Sequence, residues 1–447
     1  MLEKSSLRKR CVILVLVVLG LLLSAAWAQT ESVLYSFCAQ KNCSDGAVPY
    51  SGVVFDQKGN LYGTAQYGGA HGDRGNGGGG VFKLTPEGKE TLLYSFCALD
   101  KCSDGAVPGG ALVFDRQGNL YGGTGYGGAY NGGALFKLTP EGKETVVYSF
   151  CAQKNCADGG GPSAPIFDQK GNMYGTTGGG GANNKNCHGG GGCGVVFKLT
   201  PKGKETVLHR FCAQSASNCT DGWFPVSGLV SDQKGNLYGT TIYGGNYNNG
   251  NGFCYYGCGV VFKLSPKGKE TVLYNFCAQS RDGICTDGAN PLAGLIFDQK
   301  GNLYGTTYDG GACNNHYYWG CGVVFKLTPE GKETVLYRFC AQTACTDGAG
   351  PYARLVFDQK GNLYGTTSSG GAYGYGVIFK LTPKGKEIGL YSFCADGQDH
   401  CTDGAYPDQG VVFDQKGNLY GTTVGGGAYN DCSESVGGCG VVFKLTP

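Results

Sequence analysis

A single motif recurs seven times along the chain, and a fold that ignores it is excluded. The turn Asp-Gln-Lys-Gly-Asn or a close variant has its Asp at Asp56, Asp115, Asp168, Asp232, Asp298, Asp358 and Asp414, at intervals of 53 to 66 residues. Phe-Lys-Leu segments beginning at Phe82, Phe136, Phe197, Phe262, Phe325, Phe379 and Phe443 follow in step, as do Phe-Cys pairs beginning at Phe37, Phe96, Phe150, Phe211, Phe276, Phe339 and Phe393. Self-similarity at this period marks a repeat architecture in which each unit buries its apolar face on its neighbours.

Within one unit, Gly52 to Phe55 and Leu61 to Thr64 are short apolar or β-branched runs joined by a Gly-Asn turn, which reads as a β-hairpin. Val81 to Leu84 and Thr91 to Phe96 form a second hairpin, whose connection Thr85-Pro86-Glu87-Gly88-Lys89 has Pro and Gly where a turn needs fixed and positive φ. We name the four strands A, B, C and D in that order. The composition agrees: 83 glycines, 2 methionines and 16% charged residues do not make helices, while 41% hydrophobic and 12% aromatic residues can build cores.

Four antiparallel strands repeated seven times suit a propeller, a solenoid or a sandwich array, and the strand order near the two ends discriminates. A lone D strand, Ser32 to Phe37, comes first, and the seventh unit runs only through A, B and C. Pairing the two closes a ring and removes both sheet edges, whereas a solenoid would need capping repeats. The expectation is an all-β, seven-bladed β-propeller of four antiparallel strands per blade, residues 29–447, closed by its N-terminal strand.

Residues 1–28 read as a secretory signal peptide. Lys4, Arg8, Lys9 and Arg10 precede the apolar run Cys11 to Leu23, and Ala26-Trp27-Ala28 supplies small residues at a cleavage site. The apolar run is short for a membrane span, and no second candidate follows, so the mature chain is expected to be secreted, extracellular or periplasmic, without a membrane span. The 36 basic and 34 acidic residues nearly balance, which argues against nucleic acid as a partner. A monomer is expected.

Apart from Cys11 the chain has an even set of cysteines, and the repeat suggests how they pair in an oxidising compartment. Seven pairs follow strand D: Cys38 with Cys43, Cys97 with Cys102, Cys151 with Cys156, Cys212 with Cys219, Cys277 with Cys285, Cys340 with Cys345, and Cys394 with Cys401. Four more fall between strands B and C: Cys187 with Cys193, Cys254 with Cys258, Cys313 with Cys321, and Cys432 with Cys439. Units that lack a B–C pair lack both cysteines. Cys254-x-x-x-Cys258 and Cys187-His188 have some look of metal ligands, but no single unit offers four N/S ligands at zinc spacing, and disulfides are preferred.

The A–B and C–D turns emerge on one face and are nearly identical in every unit. The B–C loops and the D-to-A crossings emerge on the other and vary in length, with Tyr, Asn and Gly prominent. Loops of this composition make binding surfaces, because Tyr offers a large amphipathic contact at low entropic cost and a disulfide-held loop is preorganised. The candidate ligand-binding residues are Tyr130, Trp223, Tyr247, Tyr255, Tyr256, Tyr317, Tyr318, Trp319, Tyr373 and Tyr429. The plainer alternative is that these rings cover Gly-rich blade tops.

Each crossing also carries Asp-Gly, at Asp45, Asp104, Asp158, Asp221, Asp287, Asp347 and Asp403. These carboxylates could ring the channel mouth around a hard cation. Their uniform context favours local Asx-turns, and no metal or other cofactor is expected. No Gly-x-Ser-x-Gly, His-Glu-x-x-His or phosphate loop occurs, and the five histidines are scattered, so no catalytic residues are assigned.

Gly361-Asn-Leu-Tyr-Gly-Thr-Thr367 followed by Val377-Ile-Phe-Lys-Leu-Thr-Pro383 resembles the GloVer-type tandem repeat of exported bacterial proteins, over essentially all of Glu31 to Pro447. The resemblance implies an exported, propeller-like repeat protein and brings no catalytic residues with it. The functional expectation is a secreted binding or scaffold module for an extracellular glycan or protein. A secreted polysaccharide hydrolase or lyase, with its site at the channel mouth, and a purely structural surface or adhesion element are the alternatives.

Overall fold

The computed structural model describes residues 29–446 apart from 72–76, 182–186, 188–190, 214–218, 247–253, 255, 282, 312–320, 398–400, 431 and 433–436. The expected signal peptide, residues 1–28, lies outside the described residues.

The chain forms seven antiparallel blades. Blade 6 is representative, with strand A at Val356–Phe357, B at Leu363–Thr367, C at Val377–Leu381 and D at Glu387–Ser392, hydrogen-bonded in that order. Strand A is usually two residues long, shorter than its apolar run. Blade 2 departs from this, with A extended over Ala106–Phe114, and blade 3 divides it into Gly160–Pro162 and Ile166–Phe167. A small hairpin, Ser280–Arg281 with Ile284–Cys285, lies in the crossing after blade 4.

Blade 7 takes its A, B and C strands from Val412–Phe413, Leu419–Thr423 and Val441–Thr446, and its D strand from Thr30–Ser36. Thr30 pairs with Thr446 and Ser36 with Val441, so the two ends of the chain complete one sheet.

Two turn-level devices explain the repeated motif. In the A–B turn of blade 1, Asp56 Oδ1 accepts hydrogen bonds from the backbone N–H of Lys58 and Asn60, and Oδ2 accepts from Asn60 Nδ2 and the Tyr62 hydroxyl. These bonds hold the carboxyl below its ordinary range despite partial burial. Gly59 sits at φ +82°, a conformation that disfavours a β-carbon. In strand B, Gly63 faces Phe82 of strand C, and a β-carbon there would lie 2.5 Å from the ring. The glycine makes room for the phenylalanine.

That phenylalanine is the centre of each seam between blades. The fully buried strand-C ring meets the ring at the end of the preceding blade's strand D edge-on, at 4.9 to 5.1 Å, from Phe96–Phe136 through Phe393–Phe443. Phe37–Phe82, at 5.0 Å, makes the same contact between blades 7 and 1. Nearer the axis, the strand-B tyrosine packs edge-on against the strand-A phenylalanine of the next blade, as in Tyr364–Phe413 and, across the closure, Tyr420–Phe55. Ser231 replaces that phenylalanine in blade 4. Each edge contact adds about 0.5–1.5 kcal/mol beyond burial. Closing the ring thus uses the same contacts as every other seam.

Candidate functional site

Ten disulfides are described: Cys38–Cys43, Cys97–Cys102, Cys151–Cys156, Cys187–Cys193, Cys212–Cys219, Cys254–Cys258, Cys277–Cys285, Cys340–Cys345, Cys394–Cys401 and Cys432–Cys439. Cys321 is also disulfide-bonded, while Cys313, the partner assigned to it from the repeat, lies outside the described residues. In every pair that follows strand D except Cys277–Cys285, both cysteines have φ between 38° and 68°, a left-handed conformation in which the bridge holds two non-glycine residues; in Cys277–Cys285 only Cys277 adopts it.

Treating the two sets of cysteines as separate missed their packing. Where both cysteines of a B–C pair are described, the pair lies against the one that follows strand D of the same blade, so that Cys254, Cys258, Cys277 and Cys285 place four buried sulfurs within 4.8 Å. The same grouping occurs for Cys187, Cys193, Cys212 and Cys219, and for Cys38, Cys43, Cys432 and Cys439. Each quartet comes from one blade, whose strands C and D carry the two loops and bring the sulfurs together, although the cysteines stand far from zinc-like spacing in the sequence.

The crossing aspartates are not at the channel mouth. Asp45 Oδ2 accepts from the Tyr35 hydroxyl at 2.6 Å and the Ala39 N–H at 2.9 Å, which ties it to the outermost strand. Asp104, Asp158, Asp287, Asp347 and Asp403 bind the equivalent Tyr94, Tyr148, Tyr274, Tyr337 and Tyr391. In blade 4, His209 takes the tyrosine's place, with Nε2 3.2 Å from Asp221 Oδ2. Position in the crossing suggested the inner rim; a tyrosine ten to thirteen residues earlier decides otherwise.

The candidate aromatic residues divide into three groups. Tyr130, Tyr373 and Tyr429 project from the variable face and are 57%, 48% and 41% exposed. Trp223 is 4% exposed, stacked against Tyr243 at 4.7 Å, with Tyr256 at its edge and its Nε1–H donating to the Tyr256 carbonyl. Those two rings cover the blade, and the neighbouring Phe224 reaches solvent. Tyr247, Tyr255, Tyr317, Tyr318 and Trp319 lie outside the described residues. Among the described residues, nine large hydrophobic side chains are exposed. Six of them, Leu99, Tyr130, Phe224, Val226, Tyr373 and Tyr429, belong to the loops and crossings of the variable face, Tyr126 ends strand B of blade 2 on the same face, Val33 and Ile388 lie on strand D, and none is in the A–B or C–D turns.

At the axis the repeat breaks. Just before strand A, blades 1, 4, 5 and 7 carry Gly52, Gly228, Gly294 and Gly410, and blade 6 carries Arg354. These residues follow one another around the channel: a β-carbon on Gly294 would lie 3.4 Å from the Gly228 carbonyl and 3.8 Å from Arg354 Cδ, one on Gly410 would meet the Arg354 backbone, and one on Gly52 the Gly410 carbonyl at 3.6 Å. Two residues nearer the variable face, at the mouth, stand Tyr50, Tyr352 and Asp408. The Tyr50 and Tyr352 hydroxyls are 2.7 Å apart, joining blades 1 and 6 across blade 7, and Tyr308 meets Tyr352 edge-on at 6.0 Å. Burial pushes the Asp408 carboxyl up to about 7, and its Oδ1 is buried without a hydrogen-bond partner. The signal for this site was in the sequence. Aligning the units on the crossing proline shows one Arg in a column of small residues and an Asp between two Tyr-bearing units.

A closed seven-bladed ring with one uniform and one variable face defines a tandem-repeat β-propeller. The chain belongs to the Gloeobacter/Verrucomicrobia repeat family, whose model matches residues 19–188, 78–316 and 252–447. No curated protein matches the sequence. Among solved structures the chain is similar to the extracellular domain of a one-component system from B. thetaiotaomicron, with 10% identity and a TM-score of 0.51. The match covers 94% of this chain, which spans 40% of the length of that one. It is also similar to a fungal alcohol oxidase of the AA5 family in complex with copper, with 11% identity, a TM-score of 0.53 and coverage of 94% and 76% of the two chains. At these identities the likeness is one of fold. Among the described residues no helix is long and apolar enough to cross a membrane.

Proposed function

We propose that the protein is an exported binding or scaffold propeller that recognises an extracellular partner, a glycan or a protein, through its variable face. The observation that carries this reading is the concentration of exposed Tyr, Phe and aliphatic side chains on that face, beside disulfide-held loops, with none in the opposite turns. Aromatic rings set among Asn and Gly, with few charges, suit neutral hydroxyl-rich surfaces, since a ring face packs on sugar C–H groups while the Tyr hydroxyl exchanges hydrogen bonds. Local disulfides reduce the ordering cost of binding. Export is supported by the disulfide density, which belongs to oxidising compartments.

A panel of extracellular polysaccharides, glycans and proteins, read for both retention and released product, tests this reading. Retention without product is the expected result. Product release would replace the binding module with an enzyme, and retention of no member, glycan or protein ligand alike, would overturn recognition and leave a structural element.

A further inference from the structure

We propose that the central channel holds a discrete site for a carboxylate-bearing, hydroxylated small molecule, a sugar acid, anchored on Arg354. The inference goes beyond recognition by the outer loops and does not rest on it.

Arg354 has no hydrogen bond or ion pair among the described residues, and the one ion pair described, His209 with Asp221, is elsewhere. Protein surrounds it closely enough that desolvation lowers its pKa, yet the residue is exposed. Both hold for a side chain that stands among protein atoms yet opens onto the channel. Its neighbours on the ring, Gly294 and Gly410, have no side chains to fill the space or supply a counter-charge. A guanidinium that faces the channel without a protein counter-charge is open to an anion, and its planar fork matches a carboxylate in two parallel hydrogen bonds.

The mouth restricts the ligand further. Tyr50, Tyr352 and Asp408 lie two residues from the Arg354 ring, about 7 Å along an extended chain. This is roughly the span of one sugar ring. The paired Tyr hydroxyls and the buried Asp408 carboxyl offer donors and acceptors for hydroxyl groups. A single guanidinium, with a carboxyl nearby that can ionise, favours a monoanion over a phosphate dianion.

Titration calorimetry of the mature chain with glucuronate, glucose and inorganic phosphate tests the site. Saturable glucuronate binding is expected, with glucose weaker by about tenfold or more and phosphate no tighter than glucuronate. Arg354→Met should weaken glucuronate by about tenfold or more while leaving the melting temperature equal or higher, because the replacement fills similar space without an unpaired charge. Gly294→Val, which crowds Arg354 and leaves its charge in place, should also weaken glucuronate and serves if Arg354→Met fails to fold. Tyr130→Ala should leave glucuronate binding unchanged, which separates the channel from the outer face. Equal binding of glucose and glucuronate, tighter phosphate, or full binding by Arg354→Met would overturn the proposal. Absence of glucuronate binding by the native chain would overturn it too and make Arg354 a channel plug.

Discussion

Removing residues 29–37 should lower the melting temperature by about ten degrees or more, or abolish a cooperative transition. The deletion takes away the whole outer strand of blade 7, Thr30–Ser36, and the fully buried Phe37 that meets Phe82 of blade 1. Loss of one such ring costs about 3–5 kcal/mol. The exposed strand Val441–Thr446 would lose its ladder partner and become a bare edge. Tyr35, which donates to Asp45, goes with it, so the first crossing loses the bond that ties it to the sheet. In a domain of this size each kcal/mol corresponds to roughly two degrees, and the combined loss exceeds several kcal/mol. An unchanged calorimetric transition would show that the ring does not depend on its clasp.

The second large effect is on pH. At the first or second position of each strand D stands a glutamate, half-buried or, at Glu387, buried, whose Oε1 has no partner: Glu31, Glu90, Glu144, Glu205, Glu270, Glu333 and Glu387. Burial, and then a nearby crossing aspartate, pushes Glu31 and Glu90 up to about 8 and Glu144, Glu205, Glu333 and Glu387 up to about 7. Burial also takes Glu270 to about 7, although His209 opposes it. The folded value lies above the unfolded value of 4.5 in every case, so the native chain binds more protons than the unfolded one between about pH 4.5 and 8, and stability falls as pH rises through that window. Asp309 and Asp408, raised to about 7 by burial, act in the same direction. The turn aspartates such as Asp56 are held low, and their contribution is lost only as pH falls below about 4. Solvent screening leaves each glutamate a fraction of its formal linkage energy, but seven act together. The melting temperature should be higher at pH 5 than at pH 8.5 by about five degrees or more, and Glu90→Gln should reduce the difference. A flat profile, or greater stability at pH 8.5, would contradict this account of the glutamates.

Most of the ring was legible in the sequence because the repeat states each seam seven times. The Asp-Gln-Lys-Gly-Asn turn, the strand-B glycine and the strand-C phenylalanine are local necessities, visible in any one unit. The orphan strand D near the N-terminus pointed to the clasp between Thr30–Ser36 and Val441–Thr446. What stayed hidden depends on three-dimensional neighbours. The crossing aspartates were placed at the channel mouth because the crossing leads inward, and their bond to a tyrosine on the outer strand is not a property of the Asp-Gly pair. Trp223 looked like a surface ring until Tyr243 and Tyr256 were seen to enclose it. The channel site was passed over for a different reason. Reading for what recurs directs attention away from Arg354 and Asp408, which occur once each in their columns. Glu31 and its equivalents recur in every unit, but a glutamate at the start of a strand reads as solvated, and only the packed blades reveal its burial.

The division of the molecule into a uniform, structural face and a variable, recognising face is tested most directly by two fourfold variants compared for retention on one polysaccharide panel. One removes Tyr126, Tyr130, Tyr373 and Tyr429 by substitution with Ala; the other removes Lys58, Lys170, Lys300 and Lys416 from the A–B turns in the same way. The account predicts that the tyrosine variant folds and loses retention by about a hundredfold, as expected for several aromatic anchors lost together, while the lysine variant binds like the native chain. Loss of retention in the lysine variant, with the tyrosine variant unaffected, would contradict it.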